Sequence, residues 1–139
     1  MDYKNFFVNY SKDLSKLLEN VDTELINKTV ELIKKKILTD SKIYIVGNGG
    51  SSSIASHVSV DLVKVAGAKS ETFNNSNIIT CFANDYGHDN WVKEAIKAYC
   101  FKEDLIILIS SSGKSPNIVN AAKFCNENQF IPIIDMENF

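Results

Sequence analysis

The sequence predicts a doubly wound α/β domain: a parallel β-sheet with helices on both faces, preceded by two helices. Two observations carry this reading. Short apolar runs rich in branched residues, Lys42–Val46 and Leu105–Ile109, alternate with longer stretches of helical periodicity. Each of these two runs ends in a loop of glycine and serine, GNGGSSS at 47–53 and SSSGKS at 110–115, and a helical pattern starts directly after each. In such sheets, ligands bind beyond the C-terminal ends of the strands, where loops lead into helices. Both loops are therefore expected at one edge of the sheet.

Taken in order, Tyr3, Phe6, Phe7, Tyr10, Leu14, Leu17 and Leu18 recur at three- and four-residue steps and predict a helix over 3–18. A second helix is predicted over 22–38. Asp22 or Thr23 caps its start, and Lys34–Lys36 matches its negative C-terminal end as a solvated face. Lys42–Val46 is a buried strand, and the helix after GNGG runs from about Ser52 to Ala66. Residues 71–73 predict a short second strand. Ile78–Ala83 reads equally as a strand or a short helix. Asn90–Tyr99 is a helix, Leu105–Ile109 the clearest strand, and Pro116 opens a helix to about Asn128. Phe130–Ile134 is a last strand. The 139 residues fit one domain, 1–139, with a helical pair at 1–40 and an α/β core at 41–139.

Composition narrows the chemistry. The net charge is −2, without the basic excess of a nucleic-acid binder, and no apolar run is long enough for a membrane span. All 15 basic residues are lysine, so a bound phosphate must be held by backbone N–H groups, hydroxyls, a helix N-terminus or lysine rather than by an arginine fork. The three cysteines form no CxxC pair, which favours reduced thiols, and the N-terminus lacks a signal-peptide layout. A cytoplasmic protein is expected.

Three polar clusters are candidate sites. Ser110, Ser111, Ser112 and Ser115 surround Gly113 at a helix start, where free N–H groups and a partial positive charge favour an anion. The same residues also suit a solvated serine turn with an ordinary N-cap. GNGG lets backbone approach a ligand, yet Ser52 stands where a dinucleotide fingerprint has its third glycine, and no Gly-Lys-Ser/Thr follows at the P-loop spacing. In the next helix His57 and Asp61 lie four residues apart on one face. That spacing serves a metal ion, an acid–base pair or a plain surface contact, while Val58, Leu62 and Val65 are expected to lie partly toward the core. Asn84-Asp85-Tyr86-Gly87-His88 offers donors and acceptors for sugar hydroxyls, or an Asx turn ahead of the Trp91 helix.

Together, GNGGS at 47–51, His57, Ala83-Asn84-Asp85-Tyr86-Gly87 and Ser110–Asn117, in this order and after paired helices, resemble the sugar isomerase (SIS) domain family, and within it the phosphoheptose isomerases. The resemblance covers essentially the whole chain. It implies a flavodoxin-like sheet and aldose–ketose isomerisation of sedoheptulose 7-phosphate, in lipopolysaccharide or capsule biosynthesis. By the same resemblance Ser110, Ser111, Ser112 and Ser115 grip the phosphate, Asn48 and Ser51 meet the sugar, and Asp85 meets a hydroxyl. Asp61 stands where the family has its catalytic glutamate, one methylene longer. His57 and Asp61 match part of the zinc set that some members hold. A homo-oligomer, tetramer or dimer, is implied.

Two departures follow from the same comparison. The family's last strand and helix, with its glutamine and second histidine, are expected to be missing after Phe139, and 135–139 lacks the expected threonine–glycine turn. His88 lies in a different segment from that second histidine. The alternative function is a phosphosugar-binding or protein-interaction module that keeps the fold without the chemistry; a nucleotide-binding Rossmann domain is a third reading, disfavoured by the missing glycine.

Overall fold

A computed structural model describes residues 2–136. Of the 135–139 stretch, which lacks the family's threonine–glycine turn, residues 137–139 lie outside the described residues. The chain divides into two compact units, Met1–Glu31 and Leu32–Phe139.

The first unit contains helix α1 (Tyr3–Glu19) and the first half of helix α2 (Thr23–Leu38). Asp2 caps α1 by accepting the Asn5 N–H, and Asp22 accepts the Leu25 N–H at the start of α2. No residue of α1 is buried; Tyr3, Phe6, Phe7, Tyr10, Leu14, Leu17 and Leu18 are all exposed, with Phe6 stacked on Tyr10.

The second unit is built on a four-stranded parallel sheet, β1 (Lys42–Gly47), β2 (Lys69–Thr72), β3 (Leu105–Ser110) and β4 (Ile131–Met136), in the order β2-β1-β3-β4. Helices α3 (Gly50–Lys64), α4 (Ser76–Tyr86), α5 (Trp91–Tyr99) and α6 (Pro116–Glu127) connect the strands. Alternation along β1 assigns its side chains to two cores. Tyr44 and Val46 pack with Phe73, Trp91, Ile96, Ile118 and other residues of α4–α6. Ile43 and Ile45 pack with Ala55 and Leu62 of α3, and with Ile33 and Ile37 of α2. Burying both faces is what makes the strands continuously apolar.

The predicted elements stand, and three local readings change. Ile78–Ala83 lies within helix α4. The Asn75 side chain caps that helix, and Ile78, Ile79 and Phe82 turn one face to the core. Lys36 is not solvated like a helix-end lysine: it is buried, and its ammonium donates to the Glu103 carbonyl. On α3 it is Ala55, Ser59 and Leu62 that face inward, whereas Val58 and Val65 are exposed. The cause is helix phase: β1 meets the Ala55–Ser59–Leu62 stripe, and Val58 and Val65 lie on another.

Helices α2 and α6 are each followed by a non-glycine residue in the left-handed region. Asp40 and Gln129 take left-handed φ angles of 59° and 60°, and the Ser41 and Phe130 N–H groups reach back to the Lys36 and Cys125 carbonyls. The buried Asp104 carboxylate ties the bottoms of β1 and β3 together by accepting the N–H groups of Lys42 and Phe101 at 2.8 Å each.

Candidate functional site

In the order β2-β1-β3-β4 the chain leaves β1 and β3, adjacent strands, toward opposite faces. Their C-terminal ends thus flank the crevice where ligands bind in doubly wound folds. A cavity of about 400 Å³ lies there, lined by Gly47, Asn48, Gly49 and Ser52 after β1, and by Ser115, Pro116 and Asn117 after β3. Asn74, Ile79, His88 and Trp91 complete the lining.

The β1 loop is fixed from several directions. A Cβ on Gly47 would lie 2.7 Å from the Ser51 backbone, so only glycine allows α3 to start this close to the strand. Gly49, with φ of 52°, precedes the first residue of α3. The Asn74 side chain clamps Gly47 from β2's side, accepting its N–H and donating to its carbonyl. Asn48 and Asn117 exchange two amide hydrogen bonds of 2.9 Å, which lock the β1 loop to the start of α6. Asn117 is buried and Asn48 lines the cavity.

The β3 loop makes a tight turn, with the Gly113 N–H on the Ser110 carbonyl and Gly113 at φ of 62°. Ser115 is the N-cap residue of α6, yet its hydroxyl makes no bond to the helix; it lies 3.4 Å from the buried Ser110 hydroxyl. The Ser110 hydroxyl donates to that of Ser115, which leaves the Ser115 proton free beside a helix N-terminus, an arrangement that suits an anion. Ser112 accepts the Lys114 N–H, and Ser111 and Ser112 are exposed.

The sequence candidates therefore divide. Asn48 and Ser115 line the cavity, Ser110 backs Ser115, and Ser51 sits in the first turn of α3 between the lining residues Gly49 and Ser52. Asp85 is exposed in the last turn of α4, accepting a bond from Asn84. His57 and Asp61 do interact, Nε2 to Oδ2 at 3.4 Å, on the exposed side of α3 with 80% and 54% of their side chains accessible. Asp61 is nine residues beyond Ser52, about 13 Å along the helix. Zinc takes at least three protein ligands. Among the described residues no group of three His, Cys, Asp or Glu side chains could hold a metal ion, so this pair does not by itself make a zinc site.

Sequence reading missed Asn117, Asn74 and Trp91 as lining residues and set His88 aside. Only the crossing of α4–α6 over the sheet brings them to the β1 loop. Trp91 is 1% exposed, and its indole N–H is a buried donor without a partner among the described residues.

A family model described as the SIS domain matches residues 6–134. Phosphoheptose isomerase 2 of Campylobacter jejuni is 33% identical over 121 residues, 83% of this chain and 60% of the relative. The phosphoheptose isomerase of Helicobacter pylori strain P12 is 32% identical, again over 83% of this chain and 62% of the relative. The chain thus spans less than two thirds of the length of these curated relatives. Among solved structures, phosphoheptose isomerases from Neisseria gonorrhoeae and Francisella tularensis superpose with TM-scores of 0.85 each, at 23% and 20% identity. They cover 98% and 97% of this chain, which covers 75% and 74% of theirs, and they share its fold.

Proposed function

The chain belongs to the SIS domain family, and on that premise we propose that it binds a phosphorylated sugar in the β1–β3 crevice and takes part in aldose–ketose isomerisation of sedoheptulose 7-phosphate to a heptose 7-phosphate. The observation that carries this reading is the hydrogen-bonded hydroxyl pair Ser110–Ser115 at the N-terminus of α6, with Ser115 on the wall of a cavity sized for one small ligand and Ser110 behind it. The relatives named above, all phosphoheptose isomerases, favour the enzyme over a binding module without chemistry.

In this reading the phosphate sits on Ser110, Ser115 and the first turn of α6, with Ser111 and Ser112 closing over it from the loop. Hydroxyls and helix N–H groups replace the arginine the chain lacks. The sugar extends toward Asn48, Ser51 and Asp85. The Asn48–Asn117 amide pair holds both ends of the site in register, so that ordering is complete before the ligand arrives.

Asp61 is the carboxylate we assign to proton abstraction beside the carbonyl, and His57 with Asp61 the residues that would hold zinc. Both lie outside the cavity of their own chain, so these roles need a neighbouring molecule. A feature of α3 supports one. Ile54, His57, Val58, Asp61 and Val65 share one exposed helix face, which sets the ionisable pair inside an apolar stripe. We propose a homo-oligomer, dimer or tetramer, in which this face meets a second copy. A cytoplasmic location and a role in surface-polysaccharide synthesis complete the proposal; reduced Cys81, Cys100 and Cys125 agree with the former.

The test is conversion of sedoheptulose 7-phosphate, followed by the product's anomeric proton signals. Appearance of heptose 7-phosphate that scales with protein concentration is expected. Binding without product would leave a phosphosugar module in place of the enzyme.

A further inference from the structure

One cavity wall carries a group that the resemblance leaves without a role. Among the lining residues, Gly47, Asn48, Gly49, Ser52, Asn74, Ile79, Trp91, Ser115, Pro116 and Asn117 have no ionisable side chain; His88 is the single exception. Imidazole can both donate and accept a hydrogen bond.

The turn that presents His88 is braced. Gly87 ends α4 at φ of 80°, and its carbonyl accepts the Asn90 N–H across the turn. The Asn90 amide donates to the Tyr86 carbonyl, and Asn120 of α6 reaches over to the Asp89 carbonyl at 2.9 Å. His88 is thus held between two anchored residues, on a segment tied to the same helix whose N-terminus carries Ser115. Its side chain is exposed, and so open to a ligand, whereas Trp91 beside it in the lining is buried.

We propose that His88 is the ligand-facing imidazole of this site, hydrogen-bonded to oxygens at the sugar end of the bound molecule. The phosphate end is already supplied by Ser110 and Ser115, so His88 serves the remaining polar atoms of the ligand. The proposal rests on the phosphosugar reading and deepens it. It also separates the two histidines: His88 touches ligand in its own chain's cavity, and His57 does not.

The chain has two histidines, so its imidazole proton signals are two sets, assigned by a His57→Gln variant. Sedoheptulose 7-phosphate and inorganic phosphate are titrated separately, with calorimetry on the same samples. The expected result is a saturable shift of the His88 signals with the sugar phosphate and little change with inorganic phosphate. His88→Gln is expected to weaken sugar-phosphate binding about tenfold and leave phosphate binding within about twofold. Binding heat with unmoved His88 signals overturns the proposal and spares the phosphosugar reading. An equal His88 shift with phosphate alone overturns the sugar-end placement. Absence of both heat and shifts sinks the phosphosugar reading, and the role of His88 with it.

Discussion

Single residues set the geometry of the crevice, and their substitution has calculable effects. Gly47→Ala places a methyl group 2.7 Å from the Ser51 backbone, which cannot yield without moving the start of α3. A loss of about 1–3 kcal/mol is expected in urea unfolding. Ser110→Ala with Ser115→Ala removes two hydroxyls from the proposed phosphate seat. It should weaken sugar-phosphate binding by about 1–3 kcal/mol in calorimetry while leaving the urea midpoint nearly unchanged. The cysteines give an independent check of packing. Burial pushes the Cys125 thiol up to about 11 and the Cys100 thiol up as well, so both stay protonated and unreactive at pH 8. Cys81 is exposed, and one fast-reacting thiol per native chain is expected with a disulfide reagent, rising to three in urea. At this scale the sequence showed the loop serines and the His57–Asp61 spacing, because both are local. The cavity roles of His88, Trp91 and Asn117 depend on contacts between segments tens of residues apart, which no local pattern encodes.

At the scale of elements, the strands were legible because burial on both faces leaves apolar runs with no polar alternation. Ile78–Ala83 was not, since Ile-Ile-Thr-Cys-Phe-Ala satisfies a strand's composition as well as a helix's. The decision comes from the Asn75 cap and from the core contacts of Ile78, Ile79 and Phe82, and the latter exist only once α5 and the sheet are in place. The buried ends of β1 and β3 were equally hidden. Nothing local marks Asp104, which accepts the nearby Phe101 N–H, as the acceptor for the Lys42 N–H as well, 62 residues away in sequence. Asp104→Ala removes the acceptor of two part-buried N–H groups and is expected to cost about 1–2 kcal/mol in chemical unfolding. Asp104→Asn, which retains one acceptor oxygen, should recover part of that loss.

For the whole molecule, the placement of the cavity at the β1–β3 junction follows from topology alone, and it could be foreseen from two loops at one sheet edge. What the sequence left open is how the exposed apolar residues are covered. The α1 stripe of Phe6, Phe7 and Tyr10 and the α3 face around His57 and Asp61 are both exposed within one chain. If copies associate through them, light scattering will report a mass above 15.5 kDa, and Ile54→Glu with Val58→Glu will lower it toward that value. The central claim, however, concerns the ligand. Calorimetric titration of sedoheptulose 7-phosphate, set beside sedoheptulose without its phosphate, tests it most directly. Saturable binding of the phosphorylated sugar at one site per chain, with no detectable heat from the free sugar, is the predicted result. No binding, or equal binding of both sugars, would contradict the assignment of the Ser110–Ser115 loop and the crevice it borders.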